Sequence, residues 1–99
     1  MERYYVGTDL KFLIELKADS FSMDGDGYEI FLRCGCREVF VPKEDIVVSG
    51  ENHFLTVDSK KLGSGLVKLV VYAHVQDLDF SDHERTEVAV IDLCRLEGV

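Results

Sequence analysis

Ninety-nine residues, 46% of them hydrophobic, suffice for one domain with its own core and exclude a disordered chain or a large α/β enzyme. Nineteen acidic against eleven basic residues leave a formal charge of −8, a surface repelled by phosphate backbones and anionic lipid headgroups. Neither nucleic acid nor membrane is therefore expected as a partner, and no window reaches the roughly 20 apolar residues of a bilayer span.

Alternation with period two runs through the chain and predicts strands at about 3–6, 10–17, 28–34, 37–41, 53–57, 65–75 and 86–96, with a short extra one at Ile46–Val48. The opening Met1-Glu2-Arg3-Tyr4-Tyr5 lacks the basic stretch and apolar run of a secretion leader, so a cytoplasmic location is expected. Leu10, Phe12, Ile14 and Leu16 line one side of the second strand, with Lys11, Glu15 and Lys17 on the other. Asp24-Gly25-Asp26-Gly27 then reads as a tight turn, because Gly and Asp tolerate positive φ. Tyr28, Ile30, Leu32 and Cys34 alternate against Glu29 and Arg33, and Cys34-Gly35-Cys36 joins a short hairpin. Pro42 ends the next strand, since it cannot donate to a ladder.

Ser49-Gly50-Glu51-Asn52 is a further turn, and Asp58 is positioned to cap one helical turn over Ser59–Leu62. Gly63-Ser64-Gly65 launches a long strand in which Val67, Leu69, Val71, Ala73 and Val75 face the core. Its other face carries Leu66, Val70 and Tyr72 beside Lys68 and His74. In the last strand Val88-Ala89-Val90-Ile91 is apolar without alternation. A strand apolar on both sides must be covered on both, by the domain's own segments or by another subunit. Leu66, Val70 and Tyr72 are therefore the candidate interaction surface. About seven strands at turn spacings near ten residues predict an all-β fold, an antiparallel immunoglobulin-like β-sandwich filling residues 1–99 as one domain. The chain has no Trp, and Cys34 and Cys94 are not expected to pair.

The loop Asp77-Leu78-Asp79-Phe80-Ser81-Asp82-His83-Glu84 gathers Asp77, Asp79, Asp82 and Glu84, oxygen donors of the kind calcium takes. Neither it nor Asp24–Gly27 has the glycine and glutamate spacing of an EF-hand. The competing reading is a self-capped loop, with Arg85 folding back onto Asp77 or Asp79 and Phe80 plugging the end of the sandwich. A single C-x-C with one further cysteine does not make the paired ligands of a zinc site, so Cys34 and Cys94 are read as small core residues. Three cysteines without a leader point to reduced thiols. His53, His74 and His83 lie in no recognisable nucleophile setting, and Gly63-Ser64-Gly65 is too short to cradle a phosphate. No enzyme activity and no cofactor are expected.

Ala18-Asp19-Ser20-Phe21-Ser22-Met23-Asp24, Val41-Pro42-Lys43-Glu44-Asp45, Asp58-Ser59-Lys60-Lys61-Leu62-Gly63-Ser64-Gly65, and Asp77–Asp82 followed by Arg85-Thr86-Glu87-Val88 form a set of turn and strand-end signatures. Together they resemble small, uncharacterised proteins encoded among virion structural genes in prophages of gut anaerobes, over most of Leu10–Val99. The resemblance implies a β-sandwich part of a phage tail, baseplate or head-decoration assembly, incorporated in the particle, with no enzymatic residues to transfer. The chain departs from it at His83-Glu84, where the resembling loops often carry an Asp-Gly turn. The expected function is thus a non-catalytic structural or interaction module whose partner is protein, either itself as a homo-oligomer or another assembly component. The alternative is a small module binding a carbohydrate or a calcium-dependent ligand through residues 77–87.

Overall fold

In the computed structural model, which describes residues 2–15, 27–50 and 52–99, eight strands follow one another: β1 (Arg3–Tyr5), β2 (Asp9–Ile14), β3 (Tyr28–Cys34), β4 (Arg37–Val41), β5 (Ile46–Ser49), β6 (Asn52–Asp58), β7 (Gly65–Gln76) and β8 (Glu84–Glu97). The Asp24–Asp26 turn, Leu16 and Glu51 lie outside the described residues. The chain is all-β, in two sheets. A five-stranded sheet has the order β1-β8-β7-β3-β4, and a three-stranded one the order β2-β6-β5.

Two expectations are corrected. Among the described residues the strands number eight, because Ile46–Ser49 pairs fully with β6. The fold is also not purely antiparallel, since β1 lies parallel to the end of β8, with Arg3–Tyr5 beside Arg95–Glu97. Arg95 N donates to Glu2 O and Val6 N to Glu97 O, bonds that tie the start of the chain to its end.

Local chemistry sets the connections. Gly35 supplies φ +59° in the two-residue turn between Cys34 and Arg37, a positive value at the first turn position only, as in a type II′ hairpin. Pro42 leads into a 3₁₀ turn over Lys43–Asp45, closed by Asp45 N donating to Pro42 O at 3.0 Å. A second 3₁₀ turn, Ser59–Lys61, has the cap foreseen from sequence: Asp58 Oδ1 accepts from Lys60 N at 3.1 Å. Ser59 itself is fully buried, and its Oγ accepts from Gly7 N at 2.7 Å, so this turn anchors the β1–β2 connection. Gly65 has φ +134°, and a Cβ there would stand 3.3 Å from Cys34 Sγ. The backbone conformation favours glycine where β7 begins, and a Cβ would press on the Cys34 thiol.

The core lies between the sheets. Leu10, Leu55 and Val57 of the small sheet pack against Ile30, Leu32, Val67, Leu69, Val71, Cys94 and Leu96 of the large one. Cys34 and Cys94 sit on either side of Val67, the partner of both. Two strand spacings, about 10 Å, separate them, beyond the reach of a disulfide. Both thiols are buried, as the sequence suggested, and burial pushes both up from the ordinary thiol value; Arg37 partly opposes this at Cys34.

β8 contains a bulge that explains its odd pattern. Val67 pairs with Cys94 but Lys68 with Asp92, so Leu93 is an extra residue. Below the bulge the even residues Cys94 and Leu96 point into the core. Above it the even residues Thr86, Val88, Val90 and Asp92 share the outer face with His74, Tyr72, Val70 and Lys68. The molecule measures 50 Å along its longest axis.

Candidate interaction surface

The outer face of the large sheet is built in rows that cross the strands. Register places Phe40, Phe31, Val70 and Val90 side by side on β4, β3, β7 and β8. Phe31 packs edge-on against Phe40, with ring centroids 5.5 Å apart, and against Tyr72 at 5.7 Å. On one side of this row runs a charged one, Glu38, Arg33, Lys68 and Asp92, with the two cations in the middle, so that each end is an ion pair: Arg33 Nη2 to Glu38 Oε2 at 2.9 Å, and Lys68 Nζ to Asp92 Oδ1 at 3.9 Å. On its other side lie Glu29, Tyr72 and Val88.

The three residues proposed from sequence as an interaction surface do stand on this face, but their exposures differ. Leu66 and Tyr72 are half-buried, whereas Val70, 1% exposed, is walled in by its neighbours. The apolar surface in contact with solvent belongs to Phe40 (54%), Val88 (57%) and Val90 (53%). Sequence reasoning named Val88 and Val90 as two-sided but gave Phe40 no role. Its signal was present: Phe40 alternates with buried Val41 and half-buried Val39, on a strand bounded by Pro42.

The acidic loop is organised by its own hydrogen bonds. Asp77 Oδ1 accepts from Asp79 N at 3.0 Å, Asp82 Oδ1 from Glu84 N at 3.2 Å, and Asp77 Oδ2 from Arg85 Nε at 3.0 Å. Arg85 also binds Glu87, and these carboxylates, Glu87 first, hold its guanidinium above the ordinary value. The expected fold-back of Arg85 onto Asp77 is thus present. The expected plug is not: Phe80 is 49% exposed at the hairpin tip. His83 takes φ +59°, the only positive φ at a non-glycine among the described residues. No three donors of metal-binding type converge among the described residues.

Two further places have chemistry-bearing groups. His74 stands between Glu29 (3.6 Å from Nε2) and Glu84 (3.3 Å from Nδ1), with Thr86 Oγ1 3.2 Å from Nδ1. Thr86 is its direct cross-strand partner, so the grouping is a cross-strand contact on the sheet. A cleft of about 600 Å³ opens beside β4 and β6, floored by Leu10, Leu32 and Leu62 and rimmed by Asp9, Lys11 and Asp58. Its lining contains no histidine, cysteine, arginine or serine. Among the described residues no helix is long and apolar enough to cross a membrane. No family model, curated protein or solved structure matches the chain.

Proposed function

We propose that this chain is a non-catalytic structural or protein-interaction module of immunoglobulin-like type, acting by assembly, of the kind that builds a phage tail or virion. The observation that carries this reading is the apolar row Phe40–Phe31–Val70–Val90, with Val88 beside it, on a face the small sheet does not cover. A flat apolar strip flanked by paired charges suits a protein partner better than a small molecule, which needs concavity.

Strand order supports the immunoglobulin-like reading. Taking β2, β6 and β5 as strands B, E and D leaves β8, β7, β3 and β4 as G, F, C and C′, with β1 laid on the last strand. The alternative, a calcium-dependent or carbohydrate-binding loop at residues 77–87, draws less support, because Asp77 and Asp82 already accept bonds from within the loop. Cys34 and Cys94, buried and out of reach of each other, suit a reducing compartment.

Tyr72→Glu tests the proposal. A charge beside the apolar row is expected to leave the melting transition cooperative while abolishing self-association and partner capture. A variant that unfolds outright, or one that associates as the parent does, contradicts it.

A further inference from the structure

β1 reaches β8 only at Arg95–Glu97. Above that point, from Glu84 to Leu93, the other edge of β8 has no neighbouring strand among the described residues. Hydrogen-bond parity fixes what this edge offers. His74 N donates to Gly27 O, so the even residues of β7 bond toward β3 and its odd residues toward β8. On β8 the residues opposite those even positions, namely Thr86, Val88, Val90 and Asp92, therefore aim N–H and C=O outward at the open edge. Among the described residues this ladder has no partner, and it is flanked by Val88, Val90 and Ile91, which are 57%, 53% and 41% exposed.

The geometry points to antiparallel pairing of this edge with the same edge of a second copy, about a two-fold axis at Ala89. It rests on the interaction reading above and names the partner and the contact. Ala89 lies midway between Glu84, where the strand starts, and Cys94, the last residue before β1 covers the edge, so this axis uses the whole free length. It sets Val88 opposite the second copy's Val90. The row Phe40–Phe31–Val70–Val90 then continues into Val88 and Tyr72 of the second copy, and a single apolar band crosses both sheets. It also sets Asp92 opposite Thr86, a hydroxyl donor to a carboxylate. Other registers conflict. An axis at Val88 opposes Asp92 to Glu84, two like charges, while an axis at Val90 opposes Asp92 to Val88 and drives the strand end into the place of β1.

Cross-linking reads the register directly. At this axis the two Ala89 residues form a non-hydrogen-bonded pair with Cα atoms about 4.5 Å apart, within disulfide range. In a Cys36→Ser background, with Cys34 and Cys94 buried, Ala89→Cys is expected to yield a covalent dimer under mild oxidation. Glu87→Cys, set opposite Ile91 and four residues from its own mate, is expected to stay monomeric. Val90→Pro removes an edge-facing N–H while leaving the β7 ladder intact, and is expected to melt as the parent does yet not dimerise. Failure of Ala89→Cys to cross-link, or equal cross-linking at both positions, overturns the edge pairing. If the parent still self-associates in that case and Tyr72→Glu abolishes it, the edge inference alone falls. If the parent does not self-associate and captures no partner, the interaction reading falls with it.

Discussion

The space between the two sheets and the stretch Val88–Ile91 of β8 draw on the same alternating β pattern and use it differently. Between the sheets, one face of each strand meets the opposite sheet, and Leu55, Cys94 and Leu96 are at most 1% exposed. On β8, residues of equal hydrophobicity remain in solvent: Val88 and Val90 on the outer face, and Ile91 on the strand that lies next to the edge of the large sheet. Hydrophobic burial follows apolar area removed from water, so the first set contributes to folding and the second only once something covers it. The contrast separates what holds this fold together from what it presents to a partner.

The sharpest way to break that comparison is to truncate one side chain in each region. Leu55→Ala opens a cavity between the sheets and is expected to cost about 2–5 kcal/mol in chemical denaturation. Val88→Ala is expected to stay within about 0.5 kcal/mol. Equal losses would mean that the hairpin belongs to the folding core. Ser59→Ala comes next: it strips the Gly7 N–H of its buried acceptor, at an expected cost of about 1–3 kcal/mol.

The thiols give a smaller, pH-dependent effect. Cys34 and Cys94 have folded pKa values raised by burial, so the folded state favours their neutral forms. Their contribution is fully present below the unfolded value of 9.0 and is lost as pH rises from there through the folded values. Stability is therefore expected to decline above about pH 9, and less steeply in Cys94→Ala. In the native protein at neutral pH, only exposed Cys36 is expected to react with a thiol reagent.

Most strands were legible because their cause is local. Tyr28–Cys34 and Arg37–Val41 alternate cleanly and are punctuated by Gly35 and Pro42, and both run between the residues the pattern indicates. The Asp58 cap was readable for the same reason. What escaped is what arises between distant segments. The parallel pairing of Arg3–Tyr5 with Arg95–Glu97 has no signature in either stretch. The bulge at Leu93 re-phases β8, so Val88–Ile91 looked like a break in alternation rather than two faces of an arm. The exposure of Phe80 was not legible either, because nothing within the loop tells how the hairpin tip sits against the rest of the domain. At the candidate site, Val70 and Tyr72 were placed on the right face by parity alone, but the row through Phe31 and Phe40 depends on cross-strand register.

The solution mass of the chain over a concentration series, by light scattering after size exclusion, tests most directly the claim that the uncovered edge of β8 pairs with its own copy. The account predicts a rise from 11.2 kDa toward twice that mass, absent in Val90→Pro. A mass of 11.2 kDa at every concentration would contradict it.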